Sequence, residues 1–243
     1  MSAMTQAARD WLDLDDTALI DVIQLMEAGL KPIEDLFDIK IHHSSEAAAI
    51  MAAAKELLMI HGLSRAKELE EKSQRDGLTG AHNRIYFDET LRREFHLSAQ
   101  YKLPLTIAII DLDHFKQVND THGHLAGDSL LVTVVSTIYE QIRQDDTLSR
   151  YGGEEFALIL PGTTLAASRH LISRLKDAIA AINYKVDGHF SIRITASIGV
   201  ASNEQGVAHF NEPLDMIKAA DSALYAAKHA GRNQIIEWQP QRN

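Results

Sequence analysis

Two glycines and two carboxylates, Gly152-Gly153-Glu154-Glu155, stand between Arg150-Tyr151 and the apolar run Phe156-Ala157-Leu158-Ile159-Leu160. The flanking residues predict two short strands folded about a tight turn over Thr147–Leu160. Glycine in such a turn lets backbone approach a ligand closely. Adjacent carboxylates there suit a hard divalent cation held beside a phosphate. A further acid, Asp111, ends the strand-length apolar run Leu105–Ile110. A carboxylate in that position is costly unless it is paired or binds metal. Strand ends are also where α/β sheets bind ligands. Taken alone, Asp111 fits a metal ligand and a cap of the following turn equally well.

Asp111 opens the block Asp111-Leu112-Asp113-His114-Phe115-Lys116-Gln117-Val118-Asn119-Asp120, which continues Thr121-His122-Gly123-His124-Leu125-Ala126-Gly127-Asp128. Other distinctive blocks are Asp76–Arg84 (DGLTGAHNR), Thr195–Ala201 (TASIGVA) and Ala220–Asn233 (ADSALYAAKHAGRN). The glycine–carboxylate run resembles the signature of the GGDEF family, the diguanylate cyclases, in its GGEEF form. The Asp111 block resembles the family's DIDxFKxxND…GHxxGD pattern. The other three are similar to its DxLTGLxNR, TxSIGVA and ADxALYxAKxxGRN segments. Five blocks in family order over about 160 residues lie far beyond chance matching. The resemblance covers residues 76–238 and says little about 1–75. Ala81-His82 stands where Leu-Pro is common, and Ile85 where a second Arg is frequent.

The resemblance implies an α/β fold, a nucleotidyl-cyclase palm-like (ferredoxin-like) sheet with flanking helices. It implies a homodimeric enzyme that condenses two GTP into cyclic di-GMP and two pyrophosphates. Mg²⁺ would be the cofactor, with Mn²⁺ as a substitute. Asp111, Glu154 and Glu155 would be the catalytic, metal-holding carboxylates, and Gly152 and Gly153 would let backbone approach the substrate. Asn119 and Asp128 would read guanine, because an Asp accepts from the ring N–H and the exocyclic amine together. Asp at position 128 favours GTP as the only substrate. His122 and His124 would shape the base pocket. Lys116, Lys228 and Arg232 would hold the terminal phosphates, and the four-residue spacing of the last two lets both project from one helix end. Arg143…Asp146, an RxxD pair upstream of the signature, would form a product-inhibition site with Arg174 as a further contact. Rival readings are a catalytically silent cyclic di-GMP receptor and a GTP-binding signalling module. The retained carboxylates argue for the enzyme.

The elements that must position these residues follow from periodicity. Leu125–Ile142, Leu165–Ile182 and Pro213–His229 read as helices, Ser191–Ala201 and Gln234–Trp238 as strands. Such alternation predicts helices packed on a sheet. Residues 1–75 read as an all-helical sensory or dimerisation segment, with apolar residues at helical spacing at Leu19, Val22, Ile23 and Met26. Its last stretch, through Met59, Leu63, Ala66 and Leu69, fits a stalk that pairs with a second copy and a helix packed on its own domain equally well. His42, His43 and His61 fit a ligand site less well than surface or helix-end groups. The 243-residue chain has no cysteine and a net charge of −10. Disulfides and thiolate chemistry are therefore excluded, and general nucleic-acid or anionic-membrane binding is disfavoured. No apolar stretch reaches bilayer-spanning length, and the N-terminus lacks a signal-peptide pattern. A cytoplasmic protein is expected.

Overall fold

The structure, a computed structural model, describes residues 74–186 and 190–240. The helices expected near the N-terminus, and His42, His43 and His61, lie outside the described residues. The described compact unit starts at Gln74.

Its elements run α1 (Arg84–Tyr101), β1 (Leu105–Leu112), α2 (Phe115–His122), α3 (His124–Tyr139), β2 (Thr147–Arg150), β3 (Glu155–Pro161), α4 (Leu165–Ala181), β4 (Tyr184–Val186), β5 (Phe190–Ile192), β6 (Ala196–Asn203), α5 (Pro213–His229) and β7 (Ile235–Glu237). Five strands form the main sheet in the order β2-β3-β1-β6-β7, and β4 and β5 form a separate ribbon. Only β6–β7 is parallel; the other pairs are antiparallel. Among the described residues, no helix is long and apolar enough to cross a membrane.

Helices cover both faces of the sheet. Ala108, Ile110 and Leu112 of β1 pack in one core with α3 and α4 residues such as Leu130, Val134 and Ile172. Leu105, Ile107 and Ile109 pack in a second core with Phe87 and Leu91 of α1 and Met216 and Leu224 of α5. A strand buried on both faces carries no polar alternation, which explains the unbroken apolar run.

Local chemistry sets the helix ends. The Asn83 side chain accepts from the Tyr86 N–H at 3.0 Å to start α1. The Thr164 hydroxyl accepts from Ala167 N–H at 3.1 Å to start α4. Pro213 occupies the first turn of α5, where its missing N–H costs nothing.

The structure differs from the periodicity in three ways. Helices α1 and α2 join the expected set. The run Ser191–Ala201 is divided: its start belongs to β5 in the ribbon and its end to β6 in the main sheet. The break falls at Thr195, whose hydroxyl donates to Asp113 Oδ2 at 2.6 Å and whose carbonyl accepts from Asp113 N–H at 2.8 Å. Helix α3 stops at Tyr139, short of Ile142, and gives way to a turn over residues 140–146.

Helix α5 lies against β6 at Gly199, where an added Cβ would collide with the Ala220 carbonyl and the Leu224 backbone. Both contacts are backbone, so neither can swing aside. Gly199→Ala should lower stability by roughly 1–3 kcal/mol, as overpacking does. Melting curves test this against Gly77→Ala, whose Cβ would meet open space. Equal melting temperatures for the two variants would show that α5 is not held by this contact.

Candidate active site

The sheet register gathers one rim. Asp111 on β1 lies opposite Glu155 on β3 and opposite Ser197 on β6. The Glu154 carbonyl accepts from Leu112 N–H at 3.3 Å, which ties the signature turn to the end of β1. Lys228, in the last turn of α5, places its Nζ 2.6 Å from Asp111 Oδ2. Asp111, Glu154, Glu155 and Lys228 therefore meet at one edge.

Negative charge is in excess there. Burial pushes the Asp111 carboxyl above the usual range and the Asp113 charge adds to this, while Lys228 and Arg232 only partly offset it. Burial also raises Glu155, helped by the charges of Asp111, Asp221 and Glu154 and opposed by Lys228. Asp221 is raised by burial against the pull of Arg84 and Lys228. Among the described residues, no three acid or histidine side chains converge tightly enough to hold an ion alone. An all-oxygen set of one or two carboxylates fits Mg²⁺, which completes its shell with phosphate oxygens and water.

The signature turn is held from several directions. Tyr151 and Gly152 N–H both donate to the Glu155 carbonyl, at 2.8 and 3.1 Å. The Glu155 carboxylate folds over Gly152, in space that a Cβ would occupy. Arg150 donates to the Gly153 carbonyl through Nε at 3.1 Å and Nη2 at 2.8 Å. Its Nη1 reaches both oxygens of Asp76, at 3.1 and 3.2 Å. Burial alone would raise Asp76; hydrogen bonds from the Thr79 hydroxyl and N–H, with Arg150, outweigh it and hold the carboxyl below its ordinary value. Arg84 lies 4.4 Å above the Tyr151 ring, a cation–π contact.

Sequence reasoning gave no role to Asp76, Arg84, Asp113, Arg150, Tyr151 or Asp221. Each stands inside a distinctive block, and that was the available signal.

Asn119 of α2 and Gly127 of α3 touch so closely that a Cβ on Gly127 would strike the Asn119 amide oxygen. This contact sets Asn119 against the residue preceding Asp128. Asp128 sits beyond the first turn of α3, so simple compensation of the helix dipole does not account for it. His122 is half-buried at the end of α2, and His124 is exposed at the start of α3. Lys116 is exposed in the first turn of α2.

Arg232 corrects the expectation of a shared helix end. Helix α5 stops at His229, and Gly231 (φ 114°) turns the chain. Arg232 N–H then donates back to the Ala227 carbonyl at 3.1 Å, which is a Schellman closure. Arg232 therefore reaches the rim from the loop after the helix, close enough for its charge to act on Asp111.

Arg143 and Asp146 lie away from the rim, in the turn before β2. Arg143 N–H donates to Asp146 Oδ2 at 2.9 Å and Asp146 N–H to the Arg143 carbonyl at 3.2 Å, leaving the Arg143 side chain exposed. Burial raises the Asp146 carboxyl, partly offset by the Arg143 N–H and charge. Arg174 on α4 donates to the Gln141 side-chain oxygen at 2.7 Å and the Gln141 carbonyl at 2.8 Å.

Residues 73–234 match the family described as diguanylate cyclase, GGDEF domain. The chain is 39% identical over 175 residues to the diguanylate cyclase DgcP of Pseudomonas aeruginosa, covering 71% of this chain and 25% of that protein. It is 36% identical over 168 residues to the probable diguanylate cyclase DgcC of Escherichia coli, covering 69% and 44%. The matched segment thus spans less than half the length of either relative. The coiled coil and GGDEF domain of DgcB from Caulobacter crescentus, in complex with c-di-GMP, superposes with a TM-score of 0.70 at 28% identity, covering 80% of this chain and 100% of that one. The diguanylate cyclase SiaD of Pseudomonas aeruginosa, in complex with its activator SiaC, gives a TM-score of 0.66 at 32% identity, covering 96% and 87%. On the five sequence blocks, the sheet that gathers them at one rim, and these relatives, the chain belongs to the GGDEF family.

Proposed function

We propose that this chain is a diguanylate cyclase that condenses two GTP into cyclic di-GMP and two pyrophosphates. The observation that carries this reading is the register pairing of Asp111 with Glu155, with Glu154 on the adjoining turn and Lys228 on Asp111. Each domain binds one GTP. Asn119 and Asp128 hold the guanine edge. Lys116, Lys228 and Arg232 hold the terminal phosphates, and Gly152 and Gly153 admit the α-phosphate close to backbone. Bound Mg²⁺, or Mn²⁺ in its place, would be held by Asp111, Glu154 and Glu155 and would neutralise charge on the α-phosphate and the departing pyrophosphate.

The 3′-hydroxyl oxygen of one GTP attacks the α-phosphorus of the other and gives up its proton, while the bond from that phosphorus to the α,β-bridging oxygen breaks and pyrophosphate leaves. The mirror step closes the ring. One site cannot perform both steps, so two domains must face each other and activity depends on their orientation. Residues 1–75 would serve as the sensory and dimerisation segment and residues 76–243 as the cyclase. The GTP requirement fits a cytoplasmic setting. The Arg143–Asp146 turn, with Arg174 beside it, would bind the product and inhibit.

Glu154→Gln tests the catalytic assignment. Its initial rate of pyrophosphate release should fall at least about 100-fold, the scale of losing one group that stabilises transition-state charge. Cyclic di-GMP binding should persist in the same variant. Turnover near the wild-type rate would remove Glu154 from the chemistry. A wild-type chain that binds cyclic di-GMP but makes none would favour the receptor.

Arg143→Ala tests the inhibitory site. Its inhibition constant for cyclic di-GMP should rise about tenfold or more, because hydrogen bonds to charged groups contribute about 1.5–3 kcal/mol. The initial rate should hold. Unchanged inhibition would exclude Arg143 from the site.

A further inference from the structure

Asp113 is buried more deeply than Asp111, at 4% exposure against 8%, and the proposed chemistry does not use it. Its carboxylate accepts three hydrogen bonds: from Thr195 Oγ1 at 2.6 Å and Asn233 N–H at 3.0 Å on Oδ2, and from Ser197 Oγ at 2.7 Å on Oδ1. One side chain thereby joins the end of β1, the start of β6 and the approach to β7. Both oxygens are occupied by donors within the protein.

The Asn233 bond matters because of the backbone it holds. Arg232 has φ 63° and Asn233 φ 47°, directly after Gly231. Two consecutive side-chain-bearing residues in the left-handed region are unfavourable and persist only where their surroundings fix them. The surroundings here are specific. Arg232 N–H is held by the Ala227 carbonyl and Asn233 N–H by Asp113. The next residue, Gln234, is fixed by its side chain on the Ala227 carbonyl at 2.8 Å and by Ile198 N–H on its own carbonyl at 2.9 Å. Among these anchors, Asp113 brings its side chain from the turn that directly follows β1 and Asp111.

We propose that Asp113 is a positioning residue: by accepting the Asn233 N–H, its buried carboxylate fixes the left-handed pair Arg232-Asn233 and so aims Arg232 at the terminal phosphates of the bound nucleotide. This rests on the reading of Arg232 as a phosphate ligand. Asp113 touches neither nucleotide nor metal; its charge bears on Asp111, which Asp113→Ala and Asp113→Asn relieve alike, and its hold on Arg232 runs through the loop.

The test is calorimetric binding to the full chain with Mg²⁺, using 3′-deoxy-GTP, which lacks the attacking hydroxyl, and GMP, which lacks the terminal phosphates. Arg232→Ala should weaken 3′-deoxy-GTP about tenfold, on the scale of one charge-assisted contact, and leave GMP unchanged. Asp113→Ala should do the same, and in an Arg232→Ala background it should cause no further loss. Asp113→Asn, which keeps an acceptor for Asn233, should restore most of the affinity. If Arg232→Ala leaves 3′-deoxy-GTP binding intact, the phosphate reading of Arg232 fails and the proposal falls with it. If Arg232→Ala weakens binding but Asp113→Ala does not, or weakens GMP equally, Asp113 has no positioning role. Should Asp113→Ala not fold, Thr195→Val carries the test, since it keeps size and removes a donor from the same oxygen. A loss of several-fold confined to 3′-deoxy-GTP supports the proposal, and no selective loss overturns it.

Discussion

The register of β1 between β3 and β6 is the constraint on which the rest depends. It sets Asp111 opposite Glu155 and Ser197 and leaves Leu112 to bond the Glu154 carbonyl. Both faces of β1 are buried, and each alternate set of its side chains fills a different core. A slip of one residue would exchange those sets and carry Asp111 away from the rim. The packing that stabilises the sheet is therefore also what aligns the acids. Gly199 adds to this by letting α5, with Lys228 near its end, lie directly on β6.

Two aspartates show how the same side chain is used in opposite ways. At Asp76, burial is outweighed by the Thr79 hydrogen bonds and Arg150, so the folded state favours the carboxylate. That gain is present above the ordinary carboxyl pKa and is lost as pH falls through the lowered one. Asp76 is a latch, joining the opening turn to the signature turn through Arg150. At Asp111, burial and Asp113 outweigh Lys228 and Arg232, so the ionised form is disfavoured by the fold. Glu155 and Asp221 share this state. A cluster of acids short of positive charge destabilises a protein unless a cation relieves it. The proposed cation would relieve that imbalance.

Much of this was legible in the sequence where local signals agree with tertiary demands. Pro213 marks the start of α5, and the apolar run at Leu105 marks a strand buried on both faces. The glycine pair marks the signature turn. Helix α1 carried a signal that was passed over: Asn83 caps it, and Phe87, Leu91 and Phe95 recur every four residues among charged neighbours. The division of Ser191–Ala201 was hidden because its alternation continues through Thr195, and the break is imposed by Asp113, distant in sequence. The four-residue spacing of Lys228 and Arg232 suggested one helix face. Gly231 between them was the contrary signal, since glycine commonly ends a helix.

Strand β2 separates the proposed inhibitory turn from the signature turn. The Arg143–Asp146 turn enters β2 at one end, and the signature turn leaves it at the other. Four residues of extended chain span about 13 Å, so the two turns stand at opposite ends of the strand. The signature turn has its own anchor, the Arg150 guanidinium on Gly153 and Asp76. The RxxD turn has another, the Arg143 N–H on Asp146. Removing the exposed Arg143 side chain leaves both anchors in place. On the proposed reading, a ligand at the RxxD turn would bear on how two domains face each other, since each turn is anchored independently.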